Sequence, residues 1–233
     1  MRALFIVGVL VLTACGGNWS NRDLDFVDAL PDRATLQSKL PQTATTSSPL
    51  TGVSTRRDPL GVGEPSKAYA DTKKASTDFN AILATMLAAI DLTRQVAPTA
   101  RTPDSRTWGP YPDSKNPGFE FRVVVTQVDE ANFSWSIDSR KRPADFFSLA
   151  SGSYAPTESL KRGRGEMTLH VKDFKSQLAV DEGLKALDEI VIGYVTDMFP
   201  TRVEMLFTFA AGNPSGLSAI GYTSREQADG SGS

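Results

Sequence analysis

The sequence has few of the residues that most often carry catalytic or metal chemistry. Among its 233 residues, Cys15 is the only cysteine and His170 is the only histidine. One cysteine cannot form a disulfide within the chain, and a zinc site needs three or four His, Cys or carboxylate ligands. A serine triad would need His170 as its base, and no nucleophile-elbow motif G-x-S-x-G is present. We therefore expect a protein that has no metal or other cofactor and is not an enzyme.

Basic residues are not in excess. Lys and Arg total 25 against 27 Asp and Glu, which gives a net charge of −2. Proteins that bind nucleic acid neutralise its phosphates with basic residues, and a polybasic surface can hold a protein on a membrane. The sequence therefore predicts no nucleic-acid partner and no electrostatic membrane contact. With 40% hydrophobic and 22% charged residues, it is otherwise typical of a globular protein.

One apolar run near the start is too short to cross a bilayer. Residues 3–12, ALFIVGVLVL, would span about 15 Å as a helix, which is about half of the hydrocarbon core. Arg2 precedes the run, and the small residues Thr13 and Ala14 follow it. This is the layout of an export signal, so we expect residues 1–14 to be a signal peptide.

The tetrad Leu12-Thr13-Ala14-Cys15 resembles the lipobox of bacterial lipoproteins. This resemblance covers the first 15 residues and implies that Cys15 is diacylated on sulfur, freed by cleavage before it and acylated again on its new amine. Two or more acyl chains attach a protein stably to a membrane. Gly16 stands where the family's usual inner-membrane retention signal is aspartate. The resemblance therefore implies an outer-membrane anchor, with the domain in the periplasm or at the cell surface.

The composition divides the mature chain into a tether and one domain. Residues 15–65 are rich in Ser, Thr, Pro and Gly, which predicts a flexible tether, and residues 66–233 are expected to form a single domain. Two short pieces of the tether, DLDFVDAL and ATLQSKL, have helix-like apolar spacing, and each is followed by a proline. They are either helical turns that dock on the domain or a partner, or transient turns within the linker.

Residues 66–97 contain the one long helical pattern. Ser66 is a candidate N-cap, and Pro98 marks the far limit of the helix. Apolar residues recur at three- and four-residue steps, which predicts a stripe that must cover an apolar surface. The stripe consists of Phe79, Ile82, Leu83, Met86, Leu87 and Ile90.

The region after this helix alternates apolar and polar residues with period two. Phe119–Val125 and Phe133–Ile137 flank a polar turn, which predicts an antiparallel hairpin. Five further short strand-like segments follow, and DEGLKALDE is either a short helix or a long connection. The predicted fold class is α+β: a curved antiparallel meander or partly closed barrel of about seven strands, with the long helix on its apolar face.

The layout has a loose similarity to half-barrel periplasmic carriers of lipids or lipoproteins, in which helices plug a half-barrel of antiparallel strands. This similarity implies a binding or carrier module, with an apolar ligand in the sheet interior. The alternative is an interior filled by the helix, in which case the protein is a structural or assembly component that acts through envelope proteins. The candidate lining residues are Phe119, Phe121, Phe133, Trp135, Phe207 and Phe209.

Two segments are candidates for surface contacts. Trp108 and Tyr111 lie among glycine and prolines, so they form either a rigid exposed lip or a loop that closes one end of the sheet. Arg162 and Arg164 belong to a basic run that lacks the ending of a P-loop; it is either an ordinary basic loop or a contact for anionic head groups. His170 is expected on the solvent face of its strand.

Overall fold

The computed structural model describes residues 19–38, 67–180, 182–213 and 216–229. The predicted signal peptide 1–14, Cys15 and the rest of the lipobox, the candidate cap Ser66 and residues 39–65 of the predicted tether lie outside these residues. The described part contains five helices and nine strands. The helices are α1 (Asn21–Asp28), α2 (Arg33–Leu36), α3 (Lys67–Thr93), α4 (Val171–Phe174) and α5 (Glu182–Lys185). The strands are β1 (Ala100–Arg101), β2 (Ser105–Pro112), β3 (Phe119–Gln127), β4 (Phe133–Lys141), β5 (Phe147–Ser159), β6 (Arg162–Leu169), β7 (Leu187–Val195), β8 (Thr201–Phe209) and β9 (Ala219–Glu226).

The strands form one antiparallel meander. Each strand pairs with its neighbour in chain order, so the sheet runs from β1 to β9 without a crossover. Within the described residues β1 and β9 are its two edges, and the sheet is not closed into a barrel. The predicted antiparallel meander with a long helix is confirmed, but the described residues are mostly β and form nine strands rather than about seven.

The sequence prediction missed two strands, β1 and β2, and the irregularity in β2 explains why that strand was missed. Gly109 and Pro110 indicate a loop in the sequence, because both interrupt regular strands. In the structure β2 pairs with β3 on both sides of these residues, and the register shifts between Trp108 and Tyr111. Gly109 has a φ of +104°, and a Cβ there would lie 2.7 Å from the carbonyl oxygen of Phe121. The irregularity therefore needs glycine at this position, and it lets the strand continue.

Helix α3 covers one face of the sheet with its predicted apolar stripe. Phe79, Leu83, Leu87 and Ile90 are each at most 3% exposed. They belong to one hydrophobic cluster with side chains of the sheet, and the ring of Phe79 lies 5.1 Å from that of Tyr222 in β9. Ile82 is partly buried against the same cluster, and the side chain of Met86 lies outside the described residues. No helix in the described part of the chain is long and apolar enough to span a membrane.

Residues 20–38 are part of the folded domain rather than of the predicted tether. The side chain of Ser20 caps α1 by accepting a hydrogen bond from the backbone N–H of Asp23, and the Asp23 carboxylate accepts one from Ser20. Phe26, Leu30 and Leu36 are at most 3% exposed and lie in the same core as α3. Of the two alternatives for these short pieces, the structure therefore shows helical turns that dock on the domain.

The segment predicted as one strand from residue 166 to 174 changes structure at its centre. Strand β6 ends at Leu169, and α4 follows directly after His170. Val171 and Phe174 are buried on α4, which contacts β5 and β7. The short helix α5 also confirms one of the two predictions for DEGLKALDE.

Candidate functional site

A pocket of about 430 Å³ lies between the α1–α2 segment, the C-terminal end of α3 and the ends of β5, β6 and β7. We call it the N-terminal pocket, because the α1–α2 segment forms one of its walls. It is lined by Val27, Asp28, Leu30, Pro31, Asp32, Thr35, Leu36, Arg94, Tyr154, Lys161, Tyr194 and Thr196. This set combines apolar, aromatic, hydroxyl and charged side chains of both signs.

The guanidinium of Arg94 is held in place by the backbone of the α1–α2 segment. Its Nη2 donates hydrogen bonds to the carbonyl oxygens of Leu30 (3.0 Å) and Pro31 (3.1 Å). Its Nη1 is 3.5 Å from a carboxylate oxygen of Asp91, but it is buried without a hydrogen-bond partner among the described residues. One nitrogen of Arg94 therefore fixes the wall of the pocket, while the other is buried beside Asp91, which does not line the pocket.

Tyr194 supplies a second buried donor. Its side chain is 4% exposed, and its hydroxyl makes no hydrogen bond within the part of the chain described. The ring stacks on that of Tyr154 at 6.2 Å, and the hydroxyl lies over Gly165 in the next strand. Burial raises the pKa of Tyr194, so the hydroxyl keeps its proton and is able to donate it to an acceptor.

The acidic residues of the pocket each have a local partner. A carboxylate oxygen of Asp28 lies 3.9 Å from Nζ of Lys161, and Asp32 accepts a hydrogen bond of 3.1 Å from the hydroxyl of Thr35. Burial, followed by the charges of Asp197 and Asp28, raises the pKa of Tyr154 to about 12. Both tyrosines are therefore neutral near pH 7, and the pocket offers donors beside an apolar wall.

The candidate lining residues of the sheet interior do not form one site. Phe133 and Trp135 are 3% and 4% exposed and belong to the packed core, with the ring of Phe133 against Phe26 at 5.8 Å. The other four are partly buried, and strands β4 to β7 separate the pair on β3 from the pair on β8. They are Phe119, Phe121, Phe207 and Phe209.

The predicted surface role of Trp108 is wrong. Its side chain is 0% exposed, and its indole N–H donates a 2.9 Å hydrogen bond to the carbonyl oxygen of Val96. Tyr111 is partly buried, with its ring 5.8 Å from that of Phe121. Residues 108–112 are thus part of strand β2 of the sheet, and the Trp108 side chain is buried beside the segment that follows α3.

The two basic candidates, Arg162 and Arg164, are exposed, but they lie in strand β6 and not in the predicted loop. Arg162 is solvent-exposed, and Arg164 donates a 3.2 Å hydrogen bond to Asp197. His170 is partly buried, and its Nε2 lies 2.9 Å from the hydroxyl oxygen of Ser151. None of these residues lines the N-terminal pocket.

Sequence reasoning missed the residues that form the pocket. Arg94 follows the last turn of α3, where a basic residue is usual, and Tyr194 occupies an ordinary inward position of a strand. The available signal was a polar aromatic residue facing inward opposite Gly165, since the glycine leaves room for its hydroxyl.

Compared with protein-family profiles, curated proteins and solved structures, the chain matches none of them. Its function must therefore be argued from its own residues. The N-terminal pocket combines an apolar wall with charged and hydroxyl side chains, and that combination is typical of small-molecule sites.

Proposed function

We propose that the protein is a lipid-anchored, non-enzymatic binding protein of the bacterial cell envelope, and that its ligand site is the N-terminal pocket. The observation that carries this proposal is a pocket of about 430 Å³ whose lining combines an apolar wall with charged and hydroxyl side chains. The apolar wall would hold the body of a ligand, and the few polar groups beside it would fix the orientation of that ligand. Binding in this pocket replaces the sheet interior as the proposed ligand site.

The proposed anchor lies close to this pocket in the sequence. The lipobox resemblance at residues 12–15 supports acylation of Cys15, and α1 begins only six positions later at Asn21. Six residues span at most about 20 Å even when fully extended. Because α1 is docked on the domain, the proposed anchor would hold the pocket near the membrane rather than at the end of a long tether.

A second candidate function is that of an envelope assembly component. The edge formed by β8 and β9 supports it, because Leu206 is 46% exposed and Ile220 is 44% exposed. An exposed edge strand with apolar side chains is suited to contact another protein. In this case the packed interior would serve only stability.

Native mass spectrometry distinguishes the two functions. The full chain carrying Cys15→Ser, which has no acylation site, is purified without detergent and analysed before and after denaturation. A small molecule that is released on denaturation, and that is lost from variants of the N-terminal pocket, supports the binding protein. A ligand-free mass, combined with a reproducible envelope partner after crosslinking of the parent protein in cells, would replace it with the assembly component.

A further inference from the structure

The turn between β7 and β8 exposes two large apolar side chains next to each other. Met198 and Phe199 are each 51% exposed, and Pro200, which follows them, is exposed as well. Single exposed apolar residues are common on protein surfaces, but neighbouring large ones at the tip of a turn form an apolar projection. Covering this projection with an apolar phase would remove it from water and lower its free energy.

The turn between β5 and β6 lies beside this projection. The backbone N–H of Thr196 donates a 2.8 Å hydrogen bond to the carbonyl oxygen of Gly163, and Nε of Arg164 donates one of 3.2 Å to Asp197. Both contacts join the start of β6 to the end of β7 and the turn that follows it. The two turns therefore form one end of the sheet together.

This end of the sheet is locally basic. Residues 157–164 and 195–202 together contain four basic and two acidic residues, a net charge of +2, although the whole chain has a net charge of −2. The side chain of Lys161 is 76% exposed, and Arg162 is exposed directly after it. We call the exposed side chains of the two turns the turn surface; it consists of Lys161, Arg162, Met198 and Phe199.

Helix α1 connects the turn surface with the proposed lipid anchor. At the end of this helix, a carboxylate oxygen of Asp28 lies 3.9 Å from Nζ of Lys161. The eight residues of α1 span about 12 Å. Cys15 stands six positions before Asn21, and six residues span at most about 20 Å. An acylated Cys15 is therefore close enough to the turn surface for both to meet the same membrane.

The composition of the turn surface suits the interface of an anionic bilayer. Basic side chains near a membrane surface are attracted by anionic head groups, and apolar and aromatic side chains enter the boundary between head groups and acyl chains. An acyl anchor makes such a contact intramolecular, so a contact that is weak by itself becomes populated. These arguments favour a lipid surface over a protein partner as the occupant.

We propose that the turn surface contacts the membrane in which Cys15 is anchored. Met198 and Phe199 enter the boundary of the acyl chains, and Lys161 and Arg162 bind anionic head groups. This inference rests on the proposed function, because it requires the lipid anchor. It adds an orientation of the domain, in which the N-terminal pocket, lined in part by Lys161, lies on the side of the membrane.

The test places a tryptophan at each end of the sheet. The acylated protein is reconstituted in vesicles of phosphatidylglycerol and brominated phosphatidylcholine, which quenches tryptophans that enter the bilayer. The fluorescence that Phe199→Trp adds to that of the parent should be quenched. Leu217→Trp is the matched control, because Leu217 is also exposed, at 46%, but follows the far end of β8. Its added fluorescence should not be quenched.

The contribution of the basic residues is measured in the Phe199→Trp background. Arg162→Gln should shift the equilibrium between the contacting and the detached orientation about fivefold towards the detached one, which lowers the quenching. Lys172→Gln removes an exposed positive charge on α4, beyond the far end of β6, and should leave the quenching unchanged. Replacing phosphatidylglycerol with unbrominated phosphatidylcholine should abolish the difference between the two variants.

The outcomes separate this inference from the anchor on which it rests. If the parent floats with the vesicles but the tryptophans at positions 199 and 217 are quenched equally, or neither is quenched, the anchor stands and the proposed membrane contact is wrong. In the second case the exposed side chains of the turn surface remain available to a protein partner. If the parent takes up no labelled palmitate and does not float with the vesicles, the proposed anchor is wrong, and the membrane contact is overturned with it.

Discussion

The carboxylate of Asp23 in α1 accepts a 2.5 Å hydrogen bond from Nε of Arg106 in β2, and their side chains are 0% and 5% exposed. Arg101 contacts the same carboxylate at 3.1 Å, and the guanidinium of Arg106 also lies 4.4 Å from the centre of the Phe26 ring. Burial by itself would raise the pKa of Asp23, but hydrogen bonds from Arg101, Ser20 and Arg106 outweigh it and hold the pKa well below its usual range. This buried pair fastens the α1–α2 segment, and with it one wall of the N-terminal pocket, to the sheet.

Asp23→Asn should destabilise the protein by about 3 kcal/mol, because it leaves Arg106 buried without a counter-charge. Urea unfolding of both proteins measures the loss in free energy. Asp25→Asn is the control, since Asp25 is exposed on the same helix, and it should change stability by less than about 0.5 kcal/mol. Equal effects of the two substitutions would contradict the structural role of the Asp23–Arg106 pair.

The ion pair between Asp23 and Arg106 should also make the free energy of unfolding depend on pH. The ordinary pKa of this carboxyl is 3.8, and its pKa in the folded state is lower, so the unfolded state binds the proton more readily. The stabilisation is therefore fully present above the unfolded pKa and is lost as the pH falls through the folded pKa.

We expect the difference in unfolding free energy between the parent and Asp23→Asn to be constant above about pH 6 and to shrink below about pH 4. Urea unfolding at a series of pH values measures it. A difference that stays constant down to about pH 2 would show that the substitution acts through packing and not through charge.

The sequence was sufficient to predict the helices and strands in which buried apolar residues recur at regular steps. The stripe of α3 and the alternation in β3 and β4 predict these elements, because each buries one face against the core. The same reasoning failed for β2, where Gly109 and Pro110 occur inside a strand. Sequence reasoning also placed residues 20–38 in a tether. The average composition of residues 15–65 is polar, and an average does not show that a few apolar side chains dock on the domain.

The candidate site depended on contacts between distant parts of the chain, which a single sequence does not reveal. Arg94 meets Leu30 across 64 positions, and Tyr194 meets Gly165 through the pairing of β6 with β7. Each residue alone is ordinary for its element. Only the fold shows that both are buried with polar atoms left over, and that they share one pocket.

The packing of α3 against the sheet predicts a large effect of truncating its stripe. Leu83 is 0% exposed, so Leu83→Ala should cost about 3 kcal/mol of unfolding free energy, because it leaves a cavity in the core. Lys73→Ala, on an exposed position of the same helix, should cost less than about 0.5 kcal/mol. A cost for Leu83→Ala below about 1 kcal/mol would mean that the interior is loosely filled, and would return the sheet interior to consideration as the ligand site.

The lipobox resemblance predicts that membrane attachment depends on one side chain. Cys15→Ser should abolish incorporation of labelled palmitate and release the exported protein from the membrane fraction, since the thiol that accepts the lipid is gone. Globomycin should cause the uncleaved precursor of the parent to accumulate. Asn18→Ser lies outside the tetrad and should retain both label and membrane attachment. Failure of the parent to incorporate palmitate would contradict the proposed anchor.

Gly165 controls the position of the Tyr194 ring, and so the shape of the N-terminal pocket. A Cβ at Gly165 would lie 2.3 Å from the Tyr194 hydroxyl oxygen and 2.7 Å from the carbonyl oxygen of Ser153. Both distances are too short, and the backbone oxygen cannot move without disturbing the pairing of β5 with β6. Gly165→Ala should therefore cost about 2 kcal/mol in urea unfolding.

Gly193→Ala is the matched control for this substitution. Gly193 precedes Tyr194 in β7, and a Cβ at Gly193 would meet nothing within 4 Å. Alanine there should be neutral or slightly stabilising, because it restricts the unfolded chain without a clash. If Gly165→Ala lowers stability while Gly193→Ala does not, the effect arises from the contacts of the new Cβ with Tyr194 and Ser153 rather than from replacing glycine in a strand. Equal effects of the two substitutions would contradict the position of Tyr194 over Gly165.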